Sequence, residues 1–281
     1  MSMSASIIAT FFALAAAFTW GTGDFTGGLA SRRIGPFNTL LISYFFGFAG
    51  LITLALIFSE PMSSNRDLLW GAISGVSGLT GFLFLMHGFT VGRMGVVAPI
   101  SAVLSAAIPV AYSAITDVLP SAVQMLGFAI AAVSIWLISG QNENSERPTG
   151  VVPALFAGIG FAGFFIFVDQ IGSNAVFWPL VANRFTAISL MLIYAFWNKR
   201  IIFPEVTPLQ LLIPAGLLDV IANVFFLRAV QTGRLDITAI LVSLYPAITV
   251  LWARIFLREQ LVRLQFVGLG MAILSIALIT I

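Results

Sequence analysis

Residues 140–150 read GQNENSERPTG, and they form the one long polar stretch in an otherwise apolar chain. The stretch lies at the midpoint of 281 residues. Around it the composition is 59% hydrophobic and 9% charged, with mean hydropathy +1.05. A soluble domain carries roughly 25% charged residues, enough to cover its surface. This chain lacks that polar surface, so its solvent is a lipid bilayer and its class is a polytopic membrane protein.

The same counts exclude several functions. Cysteine is absent, which removes disulfides, thiol catalysis and thiolate metal sites. The single histidine, His87, argues against a conventional zinc site, so no metal is expected. A net charge of +2 gives no basic patch for nucleic acid. The opening MSMSASIIATFFALAAAF (1–18) has no positive n-region and runs on as a full span, so it reads as the first helix rather than a secretory signal.

A helical span needs about 20 mostly apolar residues. That ruler predicts ten spans, at 7–29, 37–58, 68–90, 94–115, 121–139, 151–171, 176–196, 208–230, 235–256 and 260–280. The breaks between them are short and rich in Gly, Pro and charge, as helix ends require. Continuous apolar runs without alternation argue against strands. Small residues four apart, Gly23/Gly27, Gly71/Gly75 and Gly88/Gly92, let helix backbones approach closely.

Five spans precede residues 140–150 and five follow. A single gapless offset aligns the halves: Gly92-Arg93 with Gly233-Arg234, Gln124 with Gln265, Gly127 with Gly268, and SIWLI (134–138) with SIALI (275–279), each 141 residues apart. The expected architecture is therefore all-α and integral to the membrane, with ten transmembrane helices as two five-helix repeats, 1–139 and 151–281, joined by the linker 140–150. Five is odd, so the second repeat sits inverted relative to the first. Inverted repeats place a binding site near the midplane, between the halves, and permit alternating access.

Three stretches carry a family resemblance. ALAAAFTWGTGDF (13–25) holds a Trp-Gly-x-x-x-Phe pattern at Trp20, Gly21 and Phe25. VANRFTAISLML (181–192) presents Arg184, and the stretch 229–279 contains Tyr245-Pro246 and Arg258-Glu259-Gln260. In these the whole chain resembles the EamA-type permeases of the drug/metabolite transporter superfamily. The resemblance implies two inverted five-helix repeats and transport of amino acids, other metabolites or drugs across a bacterial inner (plasma) membrane. It departs from the family at Ser43-Tyr44, where the second repeat has Arg184-Phe185, in the TDVLP loop (116–120), and at Asp24, where relatives are apolar.

Ionisable residues near the bilayer centre cost roughly 2.5–3.5 kcal/mol on insertion scales and mark interior or watery surfaces. Arg184 and Asp219 both fall in mid-span and are expected to meet, with Asn183 and Asn223 beside them. They read either as a substrate site, Arg184 for a carboxylate and Asp219 for an amine or proton, or as a structural ion pair. The substrate-binding candidates are Trp20, Asp24, Arg184, Asp219, Asn223 and Tyr245, with Tyr44 and Tyr112 as further cavity aromatics. Gating or proton coupling falls to Asp24, His87, Asp219 and Arg228, because burial disfavours the charged form of a carboxyl. Calling the membrane side of the N-terminus side one, Asp24 and His87 approach side two near Arg32 and Arg93. Arg228 approaches side one with Asp169, Arg234 and Asp236. Each group reads as a cavity gate or as interfacial, snorkelling charge.

Loops on side one carry Arg66 and Arg234, and those on side two carry Arg32, Arg33, Arg93, Arg147, Lys199, Arg200, Arg258 and Arg263. The positive-inside rule thus puts side two in the cytoplasm. The resemblance implies the opposite orientation. No nucleotide-binding loop, catalytic signature or cofactor motif is present, so the sequence reads as a secondary transporter and not an enzyme. The partners expected are a small-molecule substrate and the lipid bilayer. A fused pair of repeats can act as a monomer, with a homodimer as the alternative. A channel or membrane scaffold without carrier activity is the rival function.

Overall fold

A computed structural model describes residues 3–116, 121–139, 150–172, 174–198, 208–233, 238, 241–242, 244–258 and 263–279. These residues form helices and contain no strand. The helices are α1 (Met3–Ile34), α2 (Pro36–Ile57), α3 (Asn65–Val91), α4 (Met94–Thr116), α5 (Ala122–Ser139), α6 (Val151–Asp169), α7 (Phe177–Trp197), α8 (Leu209–Thr232), α9 (Tyr245–Leu257) and α10 (Arg263–Ile279). Six of them, α1, α2, α3, α6, α7 and α8, are long and apolar enough to cross a membrane. Shorter apolar helical stretches are Met94–Pro109, Tyr245–Leu257 and Phe266–Ser275. Most of the linker, Arg234, Asp236, Glu259 and Gln260 lie outside the described residues.

The first helix is longer than expected. Nothing in LASRRI breaks a helix, so α1 continues to Ile34 and stops at Gly35-Pro36. Gly35 takes φ 80°, a left-handed value that suits glycine, and Pro36 opens α2 with its φ already set. Arg32 then donates to the carbonyls of Phe89 (2.8 Å) and Gly92 (3.3 Å), placing a cation on the C-terminal end of α3.

The helices pair across the two halves of the chain in a reciprocal pattern. α1 packs on α8, and its counterpart in the second half, α6, packs on α3. α3 lies against α7, and α8 against α2. α4 meets α6, and α9 meets α1. α5 and α10, counterparts of each other, pack together. The ends also correspond. A side chain on Gly150, at the start of α6, would meet Gly88 and Gly92 at the end of α3. One on Gly233, at the end of α8, would meet Ala9 near the start of α1.

The glycine pairs sit where backbones touch. Gly71 and Gly75 of α3 face the backbone of α7 at Pro179 and Asn183. Gly216 of α8 faces the backbone of Ser43 in α2 in the same manner. Gly23 lies against α8, and Gly27 against Met86 of α3 and Ala215 of α8. Gly92 instead ends α3, its N–H donating to Gly88. The outward faces carry large exposed apolar side chains, among them Phe11, Phe18, Phe185, Phe196 and Trp197, which suits contact with lipid tails.

Candidate functional site

The polar centre of the molecule is built on Asp219, one of the buried residues of α8. Its Oδ2 pairs with the Arg184 guanidinium of α7. Its Oδ1 accepts from Trp20 Nε1 of α1 (3.2 Å) and from Asn223 Nδ2 one turn along α8 (3.1 Å). Three helices thus converge on one carboxylate. Arg184 in turn stacks its guanidinium over Tyr44 of α2, 4.2 Å from the ring centroid, a cation–π arrangement. All four partners are buried, so the ion pair is held away from lipid.

Further polar contacts fix the surrounding helices. Asn183 donates to Ser74 Oγ (2.8 Å), joining α7 to α3. Tyr245 and Ser101 share a hydrogen bond of 3.1 Å between α9 and α4. Thr249 donates to the Gly21 carbonyl (3.1 Å) and Trp252 to Thr22 (3.0 Å), joining α9 to α1.

Two small adjoining cavities lie at this centre. The first, about 30 Å³, is lined by Trp20, Asp24, Asn183, Arg184, Asn223 and Tyr245 on its polar part and by Phe82, Phe161, Phe164 and Phe165 on its apolar part. The second, about 20 Å³, reaches Trp20, Asp24, Tyr44 and Asp219. A water molecule needs about 10–15 Å³ by this measure, so these spaces admit water and exclude a metabolite unless the helices part. A wider, mainly apolar cleft of about 670 Å³ lies beside the α1–α2 turn, between Phe37, Leu79, Leu83 and Met191. It lies at the end of the molecule called side two.

The opposite end is tied shut. Glu60, in the α2–α3 loop, accepts from the backbone N–H groups of Val176 (3.2 Å), Phe177 (2.9 Å) and Trp178 (3.2 Å) at the start of α7. Its carbonyl accepts from Trp178 Nε1 (2.9 Å). A carboxylate at a helix N-terminus satisfies unpaired donors and complements the helix dipole. Asp67 accepts from Gly172 N (2.8 Å), and Gln231 donates to the Gly172 (3.0 Å) and Ala175 (2.8 Å) carbonyls. The α6–α7 loop is thus clasped by α3 from the first half and by α8.

The six substrate-binding candidates all line one or both of the small cavities. Asp24, read from the sequence as approaching side two but lying deeper than the interfacial charges, lines both cavities with Trp20. The ten residues from Asp24 to Ile34 add about 15 Å of helix beyond it. Three other residues lie apart from the cavities. His87 is exposed on α3, Tyr112 is 48% exposed on α4, and Arg228 is half-buried. Asp169 ends α6 at the clasped end. Sequence reasoning did not single out Glu60, Ser74, Ser101 or Phe161, Phe164 and Phe165. For the phenylalanines no signal existed in a chain with 26 of them.

The model of the EamA-like transporter family matches the chain twice, at residues 7–140 and 148–281. An uncharacterised protein of Methanocaldococcus jannaschii, MJ1333.1, is 32% identical over 132 residues, which is 47% of this chain and 93% of that protein. That relative is about as long as one half of the chain. A crystal structure of another protein superposes with a TM-score of 0.71 at 13% identity, covering 97% of this chain and 98% of the other. At that identity the likeness concerns the fold alone.

Proposed function

This chain belongs to the EamA-like transporter family, and from that premise we propose that it is a secondary transporter. It moves a small metabolite, an amino acid or a related polar or amphipathic compound, across the membrane by alternating access. The observation that carries this reading is the buried constellation of Trp20, Arg184, Asp219 and Asn223 beside cavities at the junction of the two halves. Reciprocal packing of α1 on α8 and α6 on α3 supports a pair of inverted five-helix repeats that rock about that junction. Ten spans complete the proposed topology, in the inner (plasma) membrane of a bacterium. The side-one clasp and the side-two cleft suit a conformation closed on one side and poised to open on the other.

The test is thermal unfolding of the purified protein against amino acids, polyamines, sugars, nucleotides and cationic drugs. A ligand that binds only the folded state stabilises it by about 2.7 kcal/mol at a hundredfold excess over its Kd. One chemical class is expected to raise the Tm and to undergo saturable exchange in proteoliposomes. Flux that rises without saturation would identify a channel instead. Absence of both binding and flux would identify a scaffold.

A further inference from the structure

Among the described residues Asp24 has neither a hydrogen-bond nor an ion-pair partner, although it is 4% exposed. It lines both central cavities. Its situation contrasts with that of Asp219, whose two oxygens are filled by Arg184, Trp20 and Asn223. A carboxylate held out of water without a partner is unfavourable, so a group that faces a cavity in that state is poised for a cation from outside the fold.

The charges confirm the sign. The lining of the two cavities carries two carboxylates, Asp24 and Asp219, and one guanidinium, Arg184. Arg184 is already neutralised by Asp219 and stacked on Tyr44, so it offers little to an incoming anion. What remains is the carboxyl of Asp24, which no cation of the lining pairs with. Among the described residues the other ionisable groups around it are Tyr44 from α2 and Tyr245 from α9, both within electrostatic range. α3 contributes Gly78, Phe82 and Met86, and α4 contributes Ser105, none of them charged. The walls are aromatic: Trp20, Phe82, Phe161 and Tyr245 present ring faces or edges to the space. Aromatic walls around a carboxylate attract organic cations through both the ring quadrupole and the charge.

Resting on the transporter reading above, we propose that the ligand of this site is a small organic monocation. It is an amine or quaternary ammonium attached to an apolar group, with its charge held by Asp24 and its apolar part against the rings. Arg184 and Asp219 then act as a fixed scaffold beside the site and do not take a substrate carboxylate.

The test uses four probes that share a phenyl ring and differ in charge: benzyltrimethylammonium, phenethylammonium, 2-phenylethanol and phenylacetate. Each is added to the purified protein and thermal unfolding is followed. Benzyltrimethylammonium and phenethylammonium are expected to raise the Tm, whereas 2-phenylethanol and phenylacetate leave it unchanged. Asp24→Asn is expected to weaken cation binding at least about tenfold, and Asp24→Glu to retain much of it. Phenylacetate protecting as well as the cations would overturn the proposal, as would cation shifts of equal size in wild type and Asp24→Asn, or no cation shift at all. Should Asp24→Asn fail to fold, the charge series in the wild-type protein decides alone. Labelled probes in proteoliposomes separate this from the transporter reading. A cation that binds through Asp24 but never exchanges across the bilayer upholds the site and defeats transport. Saturable exchange of phenylacetate alone does the reverse.

Discussion

Replacing Arg184 by alanine is expected to lower stability by about 3–5 kcal/mol, the range seen when one member of a buried ion pair is removed. The loss follows from what is left behind. Asp219 keeps Trp20 and Asn223 as donors but loses the guanidinium that pairs with it, while still buried. Tyr44 loses the cation stacked on its ring at 4.2 Å. Asp219→Ala should cost a similar amount, since it strands the guanidinium. The double replacement Arg184→Met with Asp219→Leu is expected to recover much of the loss, because two apolar side chains leave no uncompensated charge. Thermal unfolding in detergent of the wild type, Arg184→Met, Asp219→Leu and the double variant forms a double-mutant cycle that measures the coupling. A stable double variant that still transports would identify the pair as structural. One that is stable and inactive would give it a direct part in the transport cycle.

The second large effect concerns helix contact. Gly75→Leu and Gly216→Leu are each expected to lower stability by about 3 kcal/mol or more, the upper end of overpacking costs. A side chain at Gly75 would run into the backbone of Asn183, and one at Gly216 into the backbone of Ser43. Neither obstacle is the end of a flexible side chain, so the helices themselves must separate. The two positions are 141 residues apart, the offset that aligns the halves, so their losses should be alike. Gly270→Leu is the control, since nothing lies within 4 Å of a side chain placed there. It should be neutral or slightly stabilising, because leucine is the better helix former. Tolerance at Gly216 with disruption at Gly75, measured by thermal unfolding, would contradict reciprocal packing of the halves.

Much of this was legible in the residues themselves. Apolar runs divided by Gly, Pro and charge mark helices without ambiguity, because a span must bury its backbone groups internally. The polar stretch 140–150 and the offset of 141 exposed two halves, which the family model matches separately. Arg184 and Asp219 stood out because a charge in mid-span has few places to go, and the structure joins them. Other features depend on the third dimension. Glu60 sits in a loop that reads as ordinary surface, yet its partners are Val176, Phe177 and Trp178, more than 100 residues away. The end of α1 was placed at 29, before Arg32 and Arg33, while the helix continues through them to Ile34. Trp20 carries a pattern that can be read, but Phe161, Phe164 and Phe165 look like any lipid-facing phenylalanine until α6 is packed against α3.

Alternating access can be measured directly, because the chain has no cysteine of its own. Ser105 lines the first cavity and is 1% exposed, and cysteine is close to it in size. The measurement is the rate at which Ser105→Cys reacts with a membrane-impermeant thiol reagent supplied to one side of sealed vesicles, then to the other. Reaction is expected from both sides. It should be slower from side one, where Glu60 holds the start of α7, and Glu60→Ala should speed that side selectively. A bound ligand should protect against the reagent from either side. Reaction from a single side only, unchanged by Glu60→Ala and by ligand, would contradict a central cavity that opens to each side of the membrane in turn.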